Sequence, residues 1–341
     1  MSSSIEIKNV SKIFGPTPED VLPMVQAGAS KEDVLEKTGH TVGLDNVSMS
    51  ISAGSTFVVM GLSGSGKSTL IRHINRLIDP TAGQITVDGT DILTLGKDQL
   101  QEFRRKKMSM VFQRFGLMPH KTILENVSFG LLAQGVDEDI RNNEAMKRIE
   151  LVGLMGFEHQ YPEQLSGGMQ QRVGLARALA TDPDVLLMDE AFSALDPLIR
   201  SDMQRQLIEL QAKMHKTIVF ITHDLDEALR LGDEIAILNG GRLVQVGKPE
   251  DIVLRPADDY VSAFVADVNT SRVLRARSIM IPEADFSLSK KKTEQVHKDT
   301  FLEEIVPTIL EKRAVMAVVD NAGDVMGYIS DKELGRALSK Q

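Results

Sequence analysis

A glycine-rich stretch in the first quarter of the chain combines residue types that bind phosphate. It reads Gly61-Leu62-Ser63-Gly64-Ser65-Gly66-Lys67-Ser68-Thr69 and fits the pattern of a glycine, four residues and Gly-Lys-Ser. Glycines let a backbone wrap closely around phosphate oxygens, and free N–H groups at a helix start attract anions. We expect Lys67 to reach the β- and γ-phosphates of a nucleotide and the Ser68 hydroxyl to hold Mg²⁺.

The elements on either side of this stretch decide between a phosphate loop and a chance turn. Residues 56–60 form a short apolar run typical of a buried strand, and residues 70–77 are typical of a helix. Strand, loop and helix in this order are the context that the motif needs. A glycine- and serine-rich turn with a chance lysine is therefore the less favoured interpretation.

Two carboxylates and a histidine follow two other apolar runs. Asp189 and Glu190 come directly after residues 185–188, and His223 comes directly after residues 217–222. Sites in α/β proteins form where parallel strands end. We expect Asp189 to bind Mg²⁺ through water, Glu190 to polarise an attacking water and His223 to contact the γ-phosphate. A solvated acidic strand end and a structural histidine are the alternatives, and the phosphate loop disfavours both.

Three further features have an open interpretation from residue type and spacing. Gln113 ends an apolar run and could ligate a metal or orient a water, or it is simply a polar loop residue. Phe14 could stack on a base, although a lone phenylalanine is more often part of a core. Ser166-Gly167-Gly168 opens a helix, where free N–H groups would form a second anion site or simply a glycine-capped start.

Composition limits the classes of protein that this chain could belong to. With 341 residues we expect two or three domains, and a net charge of −9 makes a nucleic-acid-wrapping protein a poor fit. The absence of cysteine excludes thiol chemistry and suits a reducing cytoplasm. Residues 1–6 carry no secretion signal, and no apolar run approaches the ~18 residues of a membrane span. We expect any role at a membrane to depend on a partner.

Two regions lie outside the motifs. Residues 16–40 are a polar, helical insert between two strands, with Ser30 as the expected N-cap of a helix. The chain changes character near Asn269, where a basic linker begins. Beyond it we expect a helix over residues 301–312, strands over 314–320 and 325–330, and a last helix from Asp331.

Taken together, the motifs resemble those of ATP-binding-cassette (ABC) ATPases over about residues 5–265. Phe14 matches the aromatic residue that stacks on adenine, Gly61–Ser68 the Walker A loop and Gln113 the Q-loop. The remaining matches, in chain order, are Leu165–Met169 to the signature motif, Val185–Asp189 with Glu190 to Walker B, Ser193–Asp196 to the D-loop, and His223 to the switch histidine.

Residues 60–67, 75–78 and 111–120 are similar to the ATPase subunit of glycine betaine/proline (quaternary amine) importers, whose insert also resembles residues 16–41. Members often end in two cystathionine-β-synthase-type (CBS) motifs. The tail here resembles one, mainly residues 301–338, so we expect it either to pair across a dimer or to have a reduced regulatory role.

The resemblance implies an α/β P-loop fold with a mixed sheet core, an antiparallel β subdomain and a helical subdomain near residues 114–180. We expect the ATPase domain to cover residues 1–268, and the linker with a small α+β CBS-like region to cover 269–341. The implied nucleotide ligands besides Lys67 are Phe14, Gly61, Ser63–Gly66, Ser68, Thr69, Ser166–Gly168 and Asp196. The implied metal ligands are Ser68, Gln113 and Asp189.

The implied activity is hydrolysis of ATP with Mg²⁺ to drive import, with Glu190, His223, Gln113 and Lys67 as catalytic residues. Two copies would sandwich two ATP molecules head to tail. The dimer would act on a permease from the cytoplasmic face of the membrane, and an external solute-binding protein would deliver the solute to that permease. The alternative is a soluble ABC ATPase of DNA repair or translation. The stretch between Ser68 and Ser166 is too short for the coiled coil of repair types, and one cassette is fewer than translation types usually carry.

Overall fold

The computed structural model describes residues 2–113, 116–193, 195–282, 293–312 and 314–338. These residues form two compact units, 1–246 and 247–341. The division that we expected at residues 268 and 269 stays a prediction. Part of the expected linker, residues 283–292, lies outside the described residues. No helix in the described ranges is both long and apolar enough to cross a membrane.

The first unit contains strands and helices in alternation. Its strands are β1 Ile5–Phe14, β2 Thr41–Ile51, β3 Thr56–Met60, β4 Ala82–Val87, β5 Thr90–Asp91, β6 Met108–Val111, β7 Val185–Asp189, β8 Thr217–Thr222, β9 Glu234–Asn239 and β10 Arg242–Gly247, the last residue of which belongs to the second unit. Its helices are α1 Pro18–Gln26, α2 Lys31–Thr38, α3 Lys67–Ile74, α4 Lys97–Lys107, α5 Ile123–Ala133, α6 Glu138–Leu151, α7 Gly167–Ala180, α8 Pro197–Met214 and α9 Leu225–Leu231.

The central sheet has the strand order β10-β9-β3-β8-β7-β6. Strand β3 is parallel to β8 and β9, and β7 is parallel to β6 and β8. Every residue of β3, β7 and β8 is buried, as expected for strands that are covered on both faces. The registers place Met60 beside Thr222 and Asp189 beside Ile221. The residues that follow these strands therefore meet at one edge of the sheet.

A second sheet, of order β2-β1-β4-β5, is antiparallel throughout. Its apolar side chains alternate along β1 and β2 and share one core with the central sheet and helix α3. Strands β4 and β5 form a hairpin that turns at Asp88 and Gly89, and both residues have the positive φ that such a turn needs.

The insert consists of α1 and α2, as predicted. The Ser30 hydroxyl accepts a hydrogen bond from the Asp33 amide at 3.0 Å, so the expected N-cap of α2 is confirmed. Val21, Val25 and Val34 form a small core with two residues of the strands on either side, Ile13 of β1 and Val42 of β2. The insert is thus anchored to the β1–β2 pair.

Helices α5, α6 and α7 pack against one another and form the helical part of the unit. The Thr122 hydroxyl and the Glu125 carboxylate form a capping box at the start of α5. Helix α4 was not predicted.

The second unit is a small α+β structure. Its elements are α10 Pro249–Leu254, α11 Asp259–Val265, α12 Ala276–Ile279, β11 Ile281–Pro282, β12 Thr293–His297, α13 Leu302–Lys312, β13 Val315–Val319, β14 Val325–Ile329 and α14 Asp331–Leu338. The strand order is β11-β14-β13-β12, with β12 parallel to β13 and β14 antiparallel to it. The predicted order of helix, strand, turn, strand and helix from residue 301 onwards is confirmed, whereas β12 was not predicted.

Candidate nucleotide-binding and hydrolysis site

The glycine-rich loop lies between β3 and α3, as the sequence predicted. Gly61, Gly64 and Gly66 have φ values of 151°, 79° and 102°, which L side chains rarely adopt. A Cβ atom on Gly61 would lie 2.2 Å from the Leu238 carbonyl oxygen. The Gly241 amide donates to the Ser65 carbonyl at 2.9 Å, which ties the loop to the turn between β9 and β10. The loop conformation therefore needs these glycines.

The Lys67 ammonium group is directed into this loop. Its Nζ donates to the carbonyl oxygens of Gly61 at 2.7 Å and Leu62 at 3.0 Å, and its side chain is only 4% exposed. Burial lowers the pKa of Lys67, and the nearby carboxylates of Glu190 and Asp189 oppose that shift. A buried ammonium in a loop rich in backbone N–H groups is suited to a triphosphate, which carries several negative charges.

Two neighbouring groups fit the same ligand. The buried Ser65 hydroxyl has no hydrogen-bond partner in the described part of the chain, so a phosphate oxygen could satisfy it. The Ser68 hydroxyl donates to Asp189 Oδ1 at 2.9 Å, which brings two oxygen ligands of the kind that Mg²⁺ prefers together. Burial raises the pKa of Asp189, and the Ser68 hydrogen bond opposes that shift.

Glu190 is the meeting point of the predicted catalytic side chains. Its Oε2 accepts from Gln113 Nε2 at 3.0 Å and lies 3.5 Å from His223 Nδ1, while its Oε1 lies 4.0 Å from Lys67 Nζ. Glu190 has a φ of 45°, an uncommon conformation for a residue other than glycine. That turn of the backbone directs the chain out of β7 at the carboxyl edge of the sheet.

Phe14 is the last residue of β1 and is 39% exposed, so its ring is not part of the core. A Cβ atom on Gly43 would lie 2.6 Å from the Phe14 ring and 3.4 Å from the Thr69 methyl group. The Lys12 ammonium lies 5.3 Å from the ring centroid. Phe14 is therefore close to the end of the phosphate loop, where it could stack on a base. Sequence reasoning missed the contributions of Lys12 and Gly43.

The second candidate anion site lies at the start of α7. The Ser166 hydroxyl accepts from the Met169 amide at 3.4 Å and caps the helix that Gly167 begins. A Cβ atom on Gly168 would lie 2.6 Å from Ile199, so close packing against α8 requires this glycine.

Within the described ranges, no hydrogen bond joins Ser166–Gly168 to the phosphate loop, so the structure does not bring the two sites together in one chain. Asp196 lies at the N-cap position of α8 without a side-chain cap bond, and Ala194 of the same stretch lies outside the described residues.

A family model described as ABC transporter matches residues 44–193. The glycine betaine transport ATP-binding protein OpuAA of Bacillus subtilis is 58% identical over 276 residues, which are 81% of this chain and 66% of that protein. The trimethylamine N-oxide transport system ATP-binding protein TmoW of Pelagibacter ubique is 44% identical over 330 residues, which are 97% of this chain and 96% of that protein. Among solved structures, the dimeric ATP-binding cassette MJ0796 bound to ADP and Pi is similar to this chain, with a TM-score of 0.61 and 33% sequence identity. The match covers 72% of this chain and 98% of the MJ0796 chain.

Proposed function

Because this chain belongs to the family of ABC transporter ATP-binding proteins, we propose that it hydrolyses ATP to drive import of quaternary amine osmoprotectants of the glycine betaine and proline type. The solute would cross through separate membrane subunits and would not touch this chain. The observation that carries the ATPase part is the arrangement of Gln113, His223 and Lys67 around the Glu190 carboxylate.

In this mechanism the base of ATP stacks on Phe14, and the N–H groups of residues 61–69 with Lys67 hold the phosphates. Lys67 exchanges the carbonyl oxygens of Gly61 and Leu62 for phosphate oxygens and stabilises charge as the terminal phosphate leaves. The Glu190 carboxylate orients a water for attack on that phosphate and accepts its proton. His223, whose Nδ1 lies 3.5 Å from Glu190 Oε2, holds the terminal phosphate in place.

Ser68, Asp189 and Gln113 are the residues that would hold Mg²⁺. The ion, when bound, neutralises charge on the β- and γ-phosphate oxygens. Ser68 and Asp189 are already in hydrogen-bond contact. In the described part of the chain, no three His, Cys, Asp or Glu side chains could hold a metal together. The remaining ligands would therefore be phosphate oxygens and water, which is how Mg²⁺ usually binds in nucleotide sites.

Two copies of the chain would share each nucleotide. Ser166–Gly168 would present free N–H groups to the phosphates bound by Lys67 of the other copy, with Asp196 nearby. In the part of the chain that the structure describes, no hydrogen bond joins these two regions, which supports this assignment, as does the dimeric state of the MJ0796 cassette. ATP binding would close the dimer, and hydrolysis would reopen it.

The partners follow from the same family. We place the chain at the cytoplasmic face of the plasma membrane, bound to a permease that receives solute from an external binding protein. The loop after Gln113 and the helical region α5–α7 would transmit closure to the permease. The C-terminal unit would be a single CBS-like motif, mainly residues 301–338.

Solute-dependent ATP hydrolysis tests this proposal. The chain is co-purified with its membrane subunits, reconstituted in liposomes with the solute-binding protein, and supplied with glycine betaine, proline betaine or a sugar. We expect the betaines to stimulate hydrolysis and the sugar to have no effect. Equal rates with all three solutes would overturn the substrate assignment, and no hydrolysis under any condition would overturn the ATPase assignment.

A second solute is favoured by one observation. The Pelagibacter ubique trimethylamine N-oxide protein aligns with this chain over almost its whole length, including the C-terminal unit. Trimethylamine N-oxide is also a small methylated amine, so it belongs in the same assay. Stimulation by this compound alone would replace the betaine assignment and leave the proposed ATPase unaffected.

A further inference from the structure

Arg200, in the first turn of α8, connects two segments that leave the central sheet. Its Nη2 donates to the carbonyl oxygens of Ser193 at 3.4 Å and Leu195 at 3.2 Å. Its Nη1 donates to Asp224 Oδ2 at 3.4 Å. The Arg200 and Asp224 side chains are 28% and 32% exposed, so this ion pair is only partly accessible to solvent.

The first of these segments is continuous with Glu190. Both the amide and the hydroxyl of Ser193 donate to the Glu190 carbonyl oxygen, at 3.2 Å and 2.9 Å. The guanidinium group of Arg200 therefore holds the turn that directly follows the water-orienting carboxylate. A movement of this turn changes what Arg200 can reach.

The second segment fixes the backbone on both sides of His223. The Asp224 amide donates to the Thr222 hydroxyl at 3.0 Å, and Asp224 Oδ1 caps α9 by accepting from the Glu227 amide at 3.1 Å. The Thr222 hydroxyl in turn donates to the buried Glu227 carboxylate at 2.6 Å. His223 lies between two anchored residues, and Asp224 is the one that contacts Arg200.

The chemistry of arginine suits this double contact. A planar guanidinium presents several N–H groups in a fixed fork, so it can donate to a carboxylate and to backbone carbonyls at once. A lysine has the charge but behaves as a single point donor on a flexible stem. The fork therefore couples the two segments, whereas a point charge would satisfy one of them.

We propose that Arg200 is a positioning residue that makes the placement of His223 depend on the Ser193–Asp196 segment. This inference rests on the proposed function, in which that segment faces the second copy of the chain. When the copies meet, the segment and the guanidinium move together, and Asp224 carries the change to His223. Hydrolysis at one site then responds to the presence of the other copy.

The test compares five variants of the full chain: Arg200→Gln, Arg200→Lys, Asp224→Asn, the double variant Arg200→Gln/Asp224→Asn and, as a control, Arg205→Gln. Asparagine retains the helix-capping oxygen at position 224 but loses the charge. Arg205 is an exposed arginine in the same helix that pairs only with Asp202 among its described contacts. For each variant we measure ATP affinity, kcat and KM for hydrolysis, and thermal stability.

We expect Arg200→Gln to lower kcat about tenfold, a change of about 1.4 kcal/mol in the barrier, with ATP affinity and KM nearly unchanged. Arg200→Lys restores part of the rate, and Arg205→Gln behaves like the wild type. Because both partners act through one contact, the double variant Arg200→Gln/Asp224→Asn is no slower than the slower single variant.

Several results would overturn the inference. They are a wild-type kcat in Arg200→Gln or Arg200→Lys, an equal loss in the Arg205 control, or losses that multiply in the double variant. If Arg200→Gln does not fold, a wild-type kcat in Asp224→Asn or in Arg200→Lys overturns the inference instead. A wild-type chain that does not hydrolyse ATP would refute the proposed function instead, so the two failures are distinguishable.

Discussion

Replacement of Glu190 by glutamine removes a charge while keeping the shape of the side chain. The amide can still contact Gln113 and His223 but cannot accept a proton from water. General-base catalysis typically contributes about 10²- to 10⁴-fold, so we expect kcat to fall by that range.

The effect on binding has the opposite sign. Glu190 Oε1 lies 4.0 Å from Lys67 Nζ, a separation at which two unit charges interact by about 1 kcal/mol in water and about 4 kcal/mol at the effective dielectric of a protein surface. In the variant this attraction no longer competes with the triphosphate for Lys67, and a repulsive charge near the terminal phosphate is gone. We therefore expect ATP to bind at least as tightly as in the wild type.

The assay separates these two effects. ATP affinity is measured by equilibrium binding with Mg²⁺ present, hydrolysis by phosphate release, and dimer content by light scattering. We expect a slow variant that accumulates as an ATP-bound dimer. A wild-type rate of phosphate release would refute the water-orienting role of Glu190, and a large loss of ATP affinity would refute the electrostatic reasoning.

Three further outcomes are expected. Phe14→Ala should weaken ATP binding about tenfold or more, measured with a fluorescent nucleotide. Gly43→Ala should have the same effect, because its Cβ would displace the Phe14 ring. If both act through the ring, their losses should not add in the double variant, so additive losses would contradict this shared cause. When a Lys67→Ala chain is mixed with a Ser166→Arg chain, half of the dimers are mixed and each mixed dimer has one intact site. ATP hydrolysis should therefore recover to about a quarter of the wild-type rate. No recovery would count against sites that two copies share. Burial raises the pKa of Glu227 above its ordinary value of 4.5, so ionising this carboxylate destabilises the folded state as the pH rises above that value. Because Glu227→Gln stays neutral, its melting temperature relative to the wild type, measured by calorimetry, should increase as the pH is raised above 4.5. A difference that shrinks with rising pH would contradict this.

The parts of the fold that sequence predicted best are those with a strong local signal. The apolar runs of β3, β7 and β8 mark strands buried on both faces, and the motifs follow them directly. Because parallel strands end at one edge, this pattern also predicted that Asp189, Glu190 and His223 lie close to the phosphate loop. Chain order and burial were enough for this part of the site.

The features that sequence missed have no such local signal. Helix α4 has no fully buried residue and only two apolar ones, Leu100 and Phe103, so its apolar stripe is weak. Its Arg104 donates to the backbone carbonyls of Asn75 and Arg76. Strand β12 is mostly polar and pairs only with β13 among the described residues. The contact between Arg200 and Asp224 depends on the packing of α8 beside α9, which residue type and spacing do not determine.

The insert begins and ends at adjacent points of the β1–β2 pair, which affects where this chain can tolerate added residues. Phe14 and Thr41 are neighbours in the β1–β2 ladder, so the twenty-six residues between them leave and return at adjacent points. A detour of this kind adds little closure entropy and leaves the pairing of every other residue unaltered. The turn between α1 and α2 could therefore be lengthened without disturbing the ATPase site, as long as Val21, Val25 and Val34 keep their contacts with Ile13 and Val42. This turn is thus a natural place to graft a new domain.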